Sequence, residues 1–311
     1  MAARTRQEED GVSRTVQRWW LRPLVVGAIA AMVFGACSTA ASPGASSAPS
    51  AGGPAGGAQA PADSATVKKV KAAGKLVGGV GQVLPWTGLD TATNKYFGAT
   101  VLIAEEIAKR IGVPLELKPV GNDIVVQEVG AGNIDLALYP LYVNPKRLEV
   151  IDMVPWHQGG FCYMVLKDNA KINKLEDLNQ DGVRLQAFDG FPFYEEFKKK
   201  YPKLTLVSRP LTSDGDTGIP DVLAGRADVA TIDNPLVYAW LQRYPQFKVL
   251  PEAATCLNNP DLPTDIALGS PKGDTAFTAF LKALYVEMAP TIKAELEKYS
   301  DPKYVALPEA S

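Results

Sequence analysis

Arg147 stands three residues after Asn144 and two after Pro145. Asn is a favoured N-cap and Pro a favoured first helical residue, so this spacing predicts a helix that holds Arg147 in its first turn. A guanidinium fixed there offers a planar fork of donors, which matches a carboxylate through two parallel hydrogen bonds. The same side chain is also placed to pair with Glu149 or another acid at the surface. Asp233 brings the opposite charge just ahead of Pro235, a second candidate first-turn proline. Its carboxylate either caps the helix that starts there or, with Asn234 as the cap, stays free for a cation.

The residue types for covalent or metal chemistry are sparse. His157 is the one histidine, which argues against a His-rich zinc enzyme and leaves little from which to build a Ser-His-Asp or Cys-His hydrolase. Gly78-Gly-Val-Gly81 lacks the spacing of a dinucleotide fingerprint. We therefore expect no catalytic residue, no metal and no cofactor. Cys162 is close to His157 in sequence only, so a reactive thiol is not indicated. The chain carries 32 Lys and Arg against 34 Asp and Glu, a net charge of −2. Such a balance offers no basic footprint for nucleic acid.

The arginines are concentrated at the start. Arg4, Arg6, Arg14, Arg18 and Arg22 precede 13 uncharged residues, Leu24 to Ala36. That run suits the apolar region of a signal peptide and is too short to span a bilayer of about 30 Å as a helix. Gly35 and Ala36 suit a signal peptidase, and Cys37 follows them. The arrangement resembles a bacterial lipobox, with Phe34 where Leu is usual. It implies acylation of Cys37; ordinary export with cleavage nearby is the alternative. Ser38 to Ser64 holds no aromatic, Val, Ile or Leu and has Asp63 as its one charge. It cannot bury enough apolar surface to offset ordering entropy and is expected to be a flexible tether.

The remainder alternates strand and helix signals, as an α/β protein with largely parallel sheet does. Leu76 to Val80 and Ile134 to Leu138 are apolar strands. Val101, Ala104, Ala108 and Ile111 recur at helical spacing, with Gly112 at the C′ position. Asn122 and Asp123 are placed to cap a helix reaching about Val129. Thr264 to Leu268 is a further strand. Two C-terminal helices are expected, about Thr275 to Met288 and Pro290 to Tyr299, separated by Pro290. Gly132-Asn-Ile-Asp135 is echoed 93 positions later by Gly225-Arg-Ala-Asp228, each between a helix and a buried strand. With a length that suggests two domains, the echo suggests two lobes of like construction.

The order of these motifs resembles the bacterial solute-binding proteins of the polar amino-acid type, which feed ABC importers and are related to the ligand-binding cores of ionotropic glutamate receptors. The matching pieces run from Pro85-Trp86 and Gly98 through Gly132-Asn-Ile-Asp135 to Pro140-Leu-Tyr-Val-Asn-Pro-Lys-Arg147. They continue with Ile151-Asp152, Pro155-Trp156, Leu175-Glu-Asp-Leu178, Gln186 and Ala224 to Asp228 through Asp233. The resemblance implies a two-lobed type II periplasmic binding fold, with two hinge crossovers and a ligand cleft between the lobes. Lobe one would hold residues 65–161 and 265–311, and lobe two residues 162–264, behind a leader of 1–36 and a tether of 37–64.

It also implies residue roles. Arg147 would hold a ligand α-carboxylate and Asp233 its ammonium. Trp86 would stack on the ligand unless it belongs to the core, and the Pro140 carbonyl would accept from the ammonium. Tyr139 and Tyr142 stand where small residues are usual and would narrow or wall the cleft. Asp189 is a weaker contact, since the usual Gly-Thr is replaced by Phe188-Asp189-Gly190. Cys162 and Cys256 fall where the two crossovers of such a protein run side by side, which makes a disulfide plausible in an oxidising compartment. The implied function is capture of a small zwitterion for an ABC permease and its ATPase, by a monomer tethered outside the cytoplasmic membrane. Two other readings are a periplasmic dehydratase-like enzyme using Glu195 or Glu196, and a sensory or accessory protein that kept the fold.

Overall fold

A computed structural model describes residues 57–189, 193–210 and 217–301. The expected signal peptide, Cys37 and most of the tether lie outside the described residues.

Helix α1 (Ala65–Ala73) is started by Ser64, whose side chain accepts from Val67 N–H, and stopped by Gly74 at φ 70°. Strand β1 (Leu76–Val80) follows, then a hairpin of β2 (Gly88–Asp90) and β3 (Lys95–Phe97). Helix α2 (Ala99–Ile111) buries Val101, Ile103, Ala104, Ile107, Ala108 and Ile111 on one face. It ends at Gly112, whose φ of 85° is costly for any residue with a Cβ. Next come β4 (Leu115–Pro119), α3 (Val125–Gly130), β5 (Leu136–Tyr142), α4 (Pro145–Val150) and β6 (Ile151–Leu166). A 3-10 turn at Leu175–Leu178 leads into β7 (Arg184–Phe188), α5 (Tyr194–Lys200), β8 (Thr205–Arg209), α6 (Ile219–Leu223) and β9 (Ala230–Asp233). The chain closes with α7 (Val237–Arg243), β10 (Phe247–Leu250), α8 (Ala253–Asn258), β11 (Asp261–Pro271) and α9 (Thr275–Ser300).

Strand β1 lies between β4 and β5, parallel to both. The crossover strands are antiparallel: β11 pairs β5 on one side and β6 on the other. The 16-residue β6 is the spine of the molecule. Its first part pairs β11, and the stretch from Phe161 onward pairs β9 and β10. Strands β7 and β8 form a separate parallel pair. The buried apolar residues divide accordingly. Two clusters draw on residues 67–154 and 266–296, and two others draw on residues 161–256.

The repeated Gly…Asp motif performs one task twice. Gly132 (φ 78°) and Gly225 (φ 70°) turn the chain through the left-handed region that glycine tolerates. Three residues on, Asp135 accepts from Val77 N–H of β1 at 2.9 Å, and Asp228 accepts from Arg184 N–H of β7 at 2.9 Å. Their own N–H groups donate to the carbonyls of the same two residues, both at 2.8 Å. Each aspartate thus satisfies the first donors of the strand beside it, which would otherwise be buried without partners.

The main sheet is mixed and not largely parallel, because β6, β9, β10 and β11 all pair antiparallel, and three further expectations change. First, α9 runs unbroken through Pro290. Phe277, Leu281, Leu284, Tyr285, Met288, Ile292, Leu296 and Tyr299 form a continuous buried stripe on both sides of it. Pro290 and Val286, whose carbonyl loses its helical donor, both lie on the solvent face, where water can replace the missing bond. Second, the tether ends before Ser64. Ala58 and Ala60 pack against the apolar cluster drawn from residues 67–154 and 266–296. Ala58 donates its N–H to Glu287 at 2.9 Å and accepts from Arg110 Nη1 at 2.7 Å. Ser64 and Thr66 both donate to Asp274, the cap of α9. Those donors outweigh burial and bring the Asp274 carboxyl down to about 2. Third, α3 is preceded by Ile124 without a side-chain cap, so Asn122 and Asp123 do not serve it.

Candidate functional site

The candidate residues come from the ends of two strands and one short helix. Asn144 Oδ1 accepts from Arg147 N–H at 3.0 Å, and Pro145 opens α4. The arginine then folds back, and its Nη1 donates to the Tyr142 carbonyl at 2.7 Å. Arg147 is half-buried, and burial lowers the pKa of its guanidinium. No carboxylate among the described residues pairs with it, so the Glu149 pairing is not formed.

Asp233 closes β9 beside Phe161 of β6. Its side chain caps nothing. Asn234 does not cap either: it accepts from Gly160 N–H at 3.2 Å and donates to the Leu257 carbonyl at 2.9 Å, tying β6 to α8. The Asp233 carboxylate instead accepts from the Tyr142 hydroxyl. That hydroxyl is its one hydrogen-bond partner among the described residues, and no cation faces it. Burial raises the Asp233 pKa and the Tyr142 bond opposes the rise only in part. Burial and the neighbouring carboxylate together push the Tyr142 hydroxyl well up.

Arg147, Tyr142 and Asp233 are therefore one connected set. The Tyr142 ring lies 4.7 Å from Phe193, edge-on, and 5.6 Å from Phe161. Phe161 and Phe193 give the set an aromatic floor that sequence reasoning did not assign. The apolar run from Phe161 to Leu166 would have marked Phe161, but only as core.

The other expected residues separate from this set. Side chains alternate faces along β5. Leu136, Leu138 and Tyr142 face one apolar cluster, and Ala137, Tyr139 and Leu141 face another. Tyr139 is thus 1% exposed and donates its hydroxyl to the Val120 carbonyl at 2.6 Å. It is a core residue and walls no cleft. Pro140 is half-buried on the Tyr142 side of the strand. Trp86 is 1% exposed within the first-lobe core, and no ring face is open to a ligand in this form. Its indole Nε1 has no acceptor. Asp189 is exposed at the end of β7, and its N–H donates to the Arg209 carbonyl at 3.0 Å. Gly190 to Pro192 lie outside the described residues. Cys162 and Cys256 are joined, with Cα atoms 5.8 Å apart. The bridge ties β6 to α8 within one apolar cluster.

Among the described residues, no three His, Cys, Asp or Glu side chains lie together as metal donors. No described helix is long and apolar enough to cross a membrane. The family model for bacterial extracellular solute-binding proteins, family 3, matches residues 76–301. The chain belongs to this family. A glutamine-binding protein of Geobacillus stearothermophilus is 26% identical over 191 residues, covering 60% of this chain and 71% of the relative. An L-cystine-binding protein of Escherichia coli is 26% identical over 174 residues, covering 55% of this chain and 64% of the relative. Among solved structures, an amino-acid ABC transporter substrate-binding protein of Streptococcus pneumoniae bound to L-arginine is 25% identical, with a TM-score of 0.61. That match covers 76% of this chain and 97% of the other. The family 3 fold accounts for the two lobes and for the strands β6 and β11 that pass between them. The relatives are binding proteins, and the fold is the two-lobed type II periplasmic form.

Proposed function

We propose that this chain is the solute-binding receptor of an ABC importer, capturing an amino acid or a close analogue between its lobes. One observation carries the reading. Among the described residues Arg147 has no carboxylate partner and Asp233 no cation, yet Tyr142 links the two. A half-buried charge without a partner is costly, and two of opposite sign joined through one residue are complementary to a zwitterion. Arg147 would take the carboxylate and Asp233 the ammonium, with Pro140 and Tyr142 beside them. Trp86 would join them only if opening exposes its ring. The lobes are assigned as 65–161 with 265–311, and 162–264, hinged at the crossovers. The receptor would act as a monomer and deliver its ligand to a permease without chemical change. The relatives' names for glutamine, cystine and arginine support the ligand class.

A thermal-shift screen over L-amino acids, amines and betaines tests this. A true ligand at 100 times its Kd adds about 2.7 kcal/mol of stability. In Asp233→Asn the shift should shrink for amine-bearing ligands more than for their deaminated analogues. An equal loss for both would remove Asp233 from the ammonium site.

Export and acylation at Cys37 would hold the receptor against the outer face of the membrane. Cys37→Ala should then move the protein from the membrane fraction to the soluble fraction with its melting temperature unchanged. Identical fractionation of variant and parent would dismiss the anchor.

A further inference from the structure

The Tyr142–Asp233 bond bears on how the site admits a ligand. Tyr142 ends β5, where its backbone pairs with Ile266 of β11 and its carbonyl is held by Arg147. Asp233 ends β9, which pairs with the far stretch of β6. The Tyr142 ring packs against apolar clusters on both sides, one from residues 67–296 and one from residues 161–250. Phe161 and Phe193 grip it from the second side. The hydroxyl therefore reaches from the residues of the first apolar cluster to a carboxylate that has no other hydrogen-bond partner among the described residues.

We propose that Tyr142 is an internal latch: its hydroxyl occupies Asp233, and a ligand ammonium must displace it to bind. This rests on the reading of Arg147 and Asp233 as the ligand site, and it makes Tyr142 the residue that sets the threshold for capture. The chemistry favours exchange. A phenol brings only a dipole to the carboxylate, whereas an ammonium adds a full opposite charge in a half-buried place, where the attraction is stronger than in water. A ligand with a carboxylate but no ammonium has nothing with which to displace the phenol, so the latch discriminates against deaminated acids. The latch raises the apparent Kd in inverse proportion to the fraction unlatched.

Tyr142→Phe keeps the ring and its packing and removes the hydroxyl alone. Two readouts on the intact chain decide the matter. The first needs no ligand. Amide hydrogen exchange in the unliganded protein should rise in the variant around residues 139–143 and 230–236 and stay unchanged in α9. Asp233→Ala, which releases the latch from its other end, should give the same pattern. The second is titration with L-arginine, L-glutamine and L-cystine, the ligands named for relatives. Whichever of them binds the parent should bind Tyr142→Phe about tenfold to a hundredfold more tightly, the worth of a hydrogen bond to a charged group. Unchanged exchange in both variants would overturn the latch. So would weaker binding by Tyr142→Phe, since the hydroxyl would then be a ligand contact. If none of the three binds the parent, the amino-acid reading is damaged while the exchange result still judges the latch.

Discussion

Replacing Arg147 by alanine should weaken ligand binding by about 2–5 kcal/mol, or roughly 30-fold to several thousandfold in Kd. The guanidinium is half-buried, has no acid partner among the described residues, and spends one donor on the Tyr142 carbonyl. The rest of the fork is available to a carboxylate. Lobe closure removes water from that pair, which strengthens the bond and makes an unpaired ligand carboxylate costly. Arg147→Lys retains the charge but not the fork, so most of the loss should persist. Calorimetry with a ligand from the amino-acid screen measures both variants. If Arg147→Ala binds that ligand as tightly as the parent, the carboxylate clamp does not exist and the amino-acid assignment falls with it.

The second large effect concerns stability. Asp261, at the start of β11, is 5% exposed and gathers donors from three side chains. Tyr163 donates to it at 2.6 Å and Tyr201 at 2.5 Å, and Lys200 completes an ion pair. Its carboxylate also accepts from Leu262 N–H at 2.9 Å. Asp261→Ala strands two buried hydroxyls and should cost about 3–5 kcal/mol of folding free energy. Asp261→Asn keeps an acceptor and should cost about 1–3 kcal/mol. The Lys200 side chain is 44% exposed, so solvent screens its share. Burial pushes the Asp261 pKa up, but the bonds from Lys200, Tyr163 and Tyr201 outweigh burial and hold it below its ordinary value. A depressed carboxyl stabilises the fold fully above its unfolded value of about 3.9 and loses that contribution as pH falls through the folded value. The gap between parent and Asp261→Asn should therefore narrow below about pH 4. Denaturant unfolding measures both effects, and a parent-like Asp261→Ala would show that the hub stabilises nothing.

The legible parts of the sequence were those where one local rule and the tertiary outcome agree. Asn144 and Pro145 predict α4 and the place of Arg147 because capping is a contact within one turn. Gly132 to Asp135 and Gly225 to Asp228 are readable because a left-handed glycine and a strand-capping aspartate act over three residues. Pro290 misled because its local cost was smaller than the burial gained by continuing α9 on either side. Tyr139 misled because aromatic character says nothing of which face of β5 it takes; the two-residue alternation from Leu136 decides that. The β2–β3 hairpin was missed because each strand has only three residues, too few for a periodic signal. Phe161 and Phe193 reach Tyr142 from distant parts of the chain, and no spacing rule links them.

The Cys162–Cys256 bridge also bears on assembly. Strand β5 must find β11, and Tyr142 and its partner Ile266 are about 120 residues apart along the chain. The bridge short-circuits 94 of the intervening residues. Through the sulfur atoms the path falls to roughly 30 residues, two halvings of the loop, which lowers the closure cost by about 1.2 kcal/mol. Oxidation thus turns residues 162–256 into a side branch and lets β5 and β11 meet almost as neighbours.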